Sequence, residues 1–182
     1  MSDAETTSSA QGSPFWRFSL RFYRLPEVAE ACIRLQEESE VDVNLLMYLF
    51  WRASQHRAFT ADEVAWFESK IAPWRECVVI PLRGVRRALK APPLVASAVA
   101  EPFRTRIKAV ELEAERLQQE AMYEITPVGP TGIEESSIIE AARTNVAAYA
   151  YAQALGVEFA SDVVERLLTA FGTLGTAADP VG

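Results

Sequence analysis

One histidine and two cysteines are the whole supply of imidazole and thiol in 182 residues. That shortage argues against a zinc centre, which is built from those two ligand types, and no metal ion is expected. Cys32 and Cys77 sit inside apolar helical patterns without CxxC spacing, so they read as reduced packing residues and not as a disulfide or redox pair. Long apolar runs are also missing. The densest, Val43 to Trp51, is interrupted by Asn44 and stopped by Arg52, well short of the ~20 residues a membrane-spanning helix requires. The N-terminal MSDAETTSSAQGS lacks the basic patch and apolar stretch of a secretion signal, which makes the cytoplasm the expected compartment. Basic charge is short as well: 18 Lys and Arg against 25 Asp and Glu leave a net charge of −7. A molecule of that sign repels nucleic-acid phosphates and anionic lipid heads, so neither nucleic acid nor a membrane is an expected partner.

Several motifs are absent. There is no GxGxxG, GxxxxGK[ST] or HExxH, and the nucleotide and metalloprotease readings lose their basis. Ser54 and Cys77 could serve as nucleophiles only with His56 as base, and no nucleophile elbow or oxyanion loop accompanies them. Glu37, Glu38, Glu40 and Asp42 form an acidic cluster, but without the paired helical spacing that converges on Mg²⁺, and a solvated turn is the expectation. No cofactor is implied, and the balance leans away from an enzyme.

What is present is helix. Apolar residues make up 49% and charged residues 24% of the chain, the proportions of a globular protein. Ser13-Pro14 starts a first helix with Phe15, Phe18 and Phe22 on one face; Leu25-Pro26 ends it and begins a second, striped by Val28, Cys32 and Leu35. Asp42 is the expected N-cap of a third helix, whose body is apolar all round and should be enclosed by its neighbours. Thr60 and Glu63 form a capping box for a fourth, with Val64, Phe67 and Ile71 inward; Pro73 and Pro81 divide the chain here into segments near 60–72, 73–80 and 81–90. After Pro92-Pro93 the longest helix, about 102–125, spaces Phe103, Ile107, Val110, Ala114, Leu117 and Ala121 as a heptad seam. TPVGPTG, 126–132, is a loop. An alanine-rich helix from about 135 to Leu155 is capped by Gly156, and a short one from Asp162 ends at Gly172.

Two charge patterns stand out. On the long helix Arg104, Arg106 and Lys108 precede Glu111, Glu113, Glu115, Glu120 and Glu124, opposing the helix dipole at both ends. An antiparallel copy would set each basic end beside an acidic one, so a homodimer through Phe103, Ile107, Val110 and Leu117 is one expectation. A seam turned to the molecule's own core, with the charges solvated, is the other. The second pattern is Arg83, Arg86, Arg87 and Lys90, at i, i+3, i+4 and i+7 on one helical face. Such a face suits an anionic ligand or an acidic protein partner, unless it is solvated or paired with the glutamates of the next helix.

FWRFSLRFY, PEVAEACIRLQ, VDVNLL with Trp51 following, RGVRRALK and KAVELEAERLQ occur in an order and spacing that resembles the proteobacterial family known as domain of unknown function 2390, over about residues 14–125. The resemblance implies a small helical cytoplasmic protein with no assigned activity and supplies no catalytic residues.

The expected architecture is all-α: a compact bundle of about seven helices with one long amphipathic helix. Residues 1–12 and 173–182 are expected as disordered tails, 13–125 as the helical domain, 126–132 as a loop and 133–172 as a helical pair packed on the same domain. Two functional readings suit such a bundle. The leading one is a non-enzymatic protein-interaction module using the basic face or the long seam. The alternative is a small-molecule or anionic-ligand binder, or an enzyme, with a pocket among the first, third and fourth helices. Trp16, Tyr23, Asn44, Trp51 and Trp74 would line that pocket, with Arg52 or Arg75 as the polar handle.

Overall fold

The computed structural model describes residues 12–92, 94–152 and 159–176. In chain order it holds α1 (Pro14–Tyr23), α2 (Val28–Ser39), α3 (Val43–Ala53), strand β1 (Arg57–Ala58) and α4 (Ala61–Trp74). A π-helical turn, Arg75–Val79, joins α4 to α5 (Ile80–Ala88); α6 (Ser97–Ile125), a 3-10 turn at Thr126–Val128, strand β2 (Ile133–Glu134), α7 (Ile138–Ala152) and α8 (Ser161–Thr176) complete it. The fold is all-α. With α4, the π turn and α5 counted as the one continuous helix they form, the described residues hold seven helices.

The caps explain the starts. Ser13 Oγ accepts from the Trp16 amide at 3.0 Å with Pro14 at the first helical position. One Asp42 carboxylate oxygen accepts from Asn44 N at 2.8 Å and Leu45 N at 3.3 Å, and Thr60 and Glu63 complete a reciprocal box. Each satisfies amide donors that a helix start would leave open.

The α3 helix is the axis of the core. Leu45, Leu46, Met47, Tyr48, Leu49 and Phe50 are all closed to solvent, as expected for a helix apolar on every side. Phe15 meets Tyr48 edge-on with centroids 5.4 Å apart, Phe22 meets Phe50 at 4.9 Å, and Phe50 meets Phe171 of α8 at 5.1 Å. These aromatic contacts tie α1, α3 and α8 together. A polar tie joins α7: fully buried Asn145 donates to the carbonyls of Leu49 and Arg57, both at 3.0 Å, and accepts from Phe59 N at 2.7 Å.

Several boundaries differ from the sequence expectation. Pro26 does not begin α2; Glu27 in the left-handed region (φ 67) intervenes and the helix starts at Val28. Pro81 does not break the chain, because the turn before it widens and the Ile80 amide reaches back five residues to the Arg75 carbonyl, a bulge that absorbs a misfit without ending the helix. Helix α6 begins at Ser97, not near 102, and carries Pro102 within it. The loop 126–132 opens on the 3-10 turn, and just beyond it β1 and β2 form an antiparallel pair with Arg57 opposite Glu134 and Ala58 opposite Ile133. Gly132 beside it has φ +68, and a Cβ there would lie 2.7 Å from the Ala58 carbonyl oxygen, so only glycine fits. Gly172 is not a stop: α8 runs on to Thr176, so the C-terminal tail cannot begin at 173. The proposed cap at Gly156 lies outside the described residues, as does nearly all of the N-terminal tail.

Candidate functional site

A cleft of ≈ 1090 Å³ opens between α1, α2, the start of α3, the π turn, α5 and α6. Trp16, Ser19 and Tyr23 come from α1, Asp42 and Asn44 from the α3 entry, Arg75 from the π turn, Arg83 and Arg86 from α5, and Glu111, Glu115, Gln118 and Gln119 from α6. Helical spacing explains the last four, since residues 111, 115, 118 and 119 recur at i, i+4, i+7 and i+8.

The polar groups are tied into a network. Arg83 donates to Glu111 Oε1 at 3.1 Å and to Glu115 Oε1 at 2.8 Å, while Arg86 engages both oxygens of Glu111. Arg75 reaches Asp42 Oδ2 at 3.3 Å and Glu68 Oε1 at 2.5 Å. Four carboxylates thus share three guanidiniums. Burial alone would raise the Glu111 pKa, but the hydrogen bonds and charges of Arg86 and Arg83 hold it below the ordinary carboxylate value. Glu115 moves the other way: burial raises it, with Glu111 and Asp42 adding to the rise and Arg83 opposing it. At Glu115 the cost of burial outweighs the charge and the hydrogen bond of Arg83.

Three further side chains of the cleft are incompletely bonded. Gln118 Nε2 donates to Asp42 Oδ2 at 2.8 Å, and Gln119 Nε2 donates to Asn44 Oδ1 at 2.8 Å. A carboxylate oxygen can only accept, so the Gln118 amide is fixed with its nitrogen toward Asp42. Gln118 Oε1, Gln119 Oε1 and Ser19 Oγ are left buried with no partner among the described residues. Their residues are only 2%, 4% and 4% exposed. Two other atoms share that condition, Arg52 Nε and Glu68 Oε2, but neither residue lines the cleft. An unpaired buried polar atom costs ~1–3 kcal/mol; these three belong to residues of the lining but are themselves closed to solvent.

A family model described as "Protein of unknown function (DUF2390)" matches residues 14–122, more than half of the chain. The chain belongs to the DUF2390 family. Every residue lining the cleft, from Trp16 to Gln119, falls within the DUF2390 match, whereas α7 and α8 lie beyond it. No curated protein and no solved structure matches the chain.

Within this DUF2390 chain the residues singled out from sequence divide between places. Trp16, Tyr23, Asn44 and Arg75 do border one cleft. Trp51 and Arg52 do not: Arg52 is buried against the rings of Tyr48, Trp51 and Phe59 and donates to Tyr48 Oη at 3.2 Å and to the Thr131 carbonyl. Trp74 is spent on the Ala114 carbonyl, 3.0 Å from its Nε1. Of the basic face, Arg83 and Arg86 are engaged by Glu111 and Glu115, and Arg87 lies 3.7 Å from exposed Glu37. Lys90 lies at the end of that run, beyond α5. His56 stands at φ 59 with Nδ1 2.9 Å from the Glu135 carbonyl, which can only accept, so Nδ1 carries the proton. Among the described residues no group of three or more His, Cys, Asp or Glu could hold a metal ion, and no helix is long and apolar enough to cross a membrane.

Sequence reasoning misses Ser19, Gln118 and Gln119, while one of its alternatives for the basic face, pairing with the glutamates of the next helix, is the arrangement Arg83 and Arg86 adopt with Glu111 and Glu115. The signal is present as a second, polar stripe on α6, eclipsed by the apolar seam. The structure buries the polar Glu111, Gln118 and Gln119 together with Met122 and, of the seam, Ala114, and leaves most of the apolar stripe outside. The seam is not the molecule's own core: Phe103 is 45%, Val110 51% and Leu117 44% exposed.

Proposed function

We propose that this protein is a binder of a small polar molecule, held in the cleft between α1, α3, α5 and α6. The observation that carries the reading is the cleft itself, ≈ 1090 Å³, with Trp16 and Tyr23 in its lining beside Asp42, Asn44, Arg75, Arg83 and Arg86. The cleft is of the size and mixed polar and aromatic character used for small ligands.

Gly84 supplies a test. It lines the cleft on α5, and a Cβ built there meets nothing within 4 Å, so Gly84→Leu puts bulk into free space at a helix position where leucine is the better helix former. Thermal shift is measured with millimolar 1,4-diaminobutane, D-glucose and citrate. A probe at about a hundred times its Kd stabilises by ~2.7 kcal/mol. Stabilisation of the wild type that disappears in Gly84→Leu supports the reading; silence from all three probes, or an equal effect in the variant, refutes it.

A second reading, self-association, is favoured by the exposed stripe Val99, Phe103, Val110 and Leu117 on α6. Arg106 and Glu113 lie along the same edge of that stripe, and in an antiparallel pair centred near Val110 each faces the other on the partner. Sedimentation at high micromolar concentration tests it: Arg106→Glu or Glu113→Arg alone should dissociate the dimer and the two together restore it. A wild type that stays monomeric removes this reading.

A further inference from the structure

We infer that the tip of the α5–α6 hairpin docks this protein on an anionic lipid surface, with Leu94 and Val95 entering the headgroup layer and the neighbouring cations meeting lipid phosphates. The inference does not depend on the cleft being a ligand site.

The hairpin stands apart from the core. Among the described residues, no side chain between Ile71 and Met122 belongs to the hydrophobic core around α3. No residue of α5 is buried, and in the first half of α6, from Ser97 to Val110, only Ala100 is. The two helices pack on one another, and Ser97 Oγ donates to the Lys90 carbonyl across their connection at 3.3 Å. Arg83 and Arg86 tie the pair to Glu111 and Glu115 further down.

Large apolar side chains gather at the far end. Leu94, 94% exposed, and Val95 lie in the connection; Val99, 70% exposed, and Phe103 follow four residues apart on one face of α6. None of the four borders the large cleft. Scattered singly such residues are ordinary, but a contiguous group marks an interaction site. At the turn of a projecting hairpin, a side chain as open as Leu94 is buried by entering another apolar phase.

Charge chooses that phase. Residues 80–110 carry seven cations and one carboxylate, Glu101, while the rest of the chain carries eleven cations and 24 carboxylates. The net charge of −7 therefore joins a basic arm to a far more acidic body, and the repulsion from anionic lipid expected of the average does not extend to the arm. Arg83 and Arg86 are spent on Glu111 and Glu115, and Arg104 on Glu101. Lys90, Arg106 and Lys108 make no ion pair among the described residues, and Arg87 reaches only exposed Glu37, at 3.7 Å. Lys90 flanks the apolar group from the α5 side and Arg106, over the Phe103 ring, from α6. Aliphatic side chains that insert, with cations on apolar stems beside them, supply the two signals that interfacial attachment needs.

Cosedimentation of the full chain with vesicles tests the assignment, one set made of phosphatidylcholine alone and the other of equal parts phosphatidylcholine and phosphatidylglycerol. Expected is binding to the mixed set only, reduced at high salt because the attraction is screened. Leu94→Ser should weaken it about tenfold or more, and Lys90→Ala about fivefold. Both positions are exposed, so both variants should fold, which circular dichroism checks. Tyr151→Ser, at an exposed aromatic of α7, and Lys70→Ala on α4 should leave binding unchanged. No binding to the mixed vesicles, equal binding to both sets, or an equal loss in Tyr151→Ser overturns the inference. So does tighter binding of soluble polyglutamate than of vesicles, which assigns the arm to an acidic protein. Dissociation of a dimer by Leu94→Ser in sedimentation also overturns it and assigns the tip to a second copy.

Discussion

Glu111→Gln is the substitution whose consequence the structure specifies most sharply. The Glu111 side chain is 7% exposed and meets two guanidiniums whose own side chains are 18% and 22% exposed. Removing its charge strands Arg86 and leaves Arg83 with Glu115 alone. Breaking a buried ion pair from one side costs ~3–5 kcal/mol because a charge stays desolvated without its counterion. Arg83 retains a partner and Arg86 retains some solvent, which places the expected loss at ~2–4 kcal/mol. For a chain of this length that is a fall of roughly 5–15 °C in Tm. Urea and thermal denaturation at neutral pH would measure it, with Glu113→Gln as control. Glu113 pairs with Arg116 on the exposed side of the same helix, where solvent screens the pair, and its loss should leave the urea midpoint unchanged. The sign with pH is also fixed. Glu111 is held below its ordinary value of 4.5 in the folded state, so its stabilisation is full above that value and is lost as pH falls through the depressed folded pKa. The deficit of Glu111→Gln should therefore shrink on acidification. Equal urea midpoints for Glu111→Gln and Glu113→Gln would refute the claim that this carboxylate holds α5 to α6.

Glu115→Gln should show the opposite pH trend. Its folded pKa is raised above 4.5, so the wild type loses stability as pH climbs from that value through the raised one, and the variant should gain on it over that range in the same denaturation series. Asn145→Ala removes three hydrogen bonds and leaves the buried Phe59 amide without an acceptor; a loss of ~2–4 kcal/mol in urea denaturation is expected. The thiols should separate cleanly. Exposed Cys77 reacts with a disulfide reagent in the native protein, while Cys32, buried and with burial pushing its pKa to about 12, does not react until denaturant is added.

Local chemistry is legible along the chain. The caps at Ser13, Asp42 and Thr60 can be read from one to four consecutive residues, because a cap acts within a single turn. The enclosure of α3 is equally plain, since a helix apolar on all sides has no face to give to water. The cleft is only partly legible: Trp16, Tyr23, Asn44 and Arg75 stand out as lining residues, but in company with Trp51, Arg52 and Trp74, which the packing turns elsewhere.

The sequence by itself determined the helices, their caps and the core of α3, along with the family to which the chain belongs, because these follow from spacing over a few turns. Tertiary structure alone decided which stripe of α6 went inside. The apolar stripe had the stronger local pattern, yet the polar one is buried, because Asp42, Asn44, Arg83 and Arg86 arrive from α3 and α5 to meet Glu111, Gln118 and Gln119. Those partners lie some 25 to 76 residues away in the chain, and no periodicity read within one helix carries that information. The cleft exists for the same reason: its lining is drawn from α1, α2, α3, the π turn, α5 and α6, and only their packing brings it together.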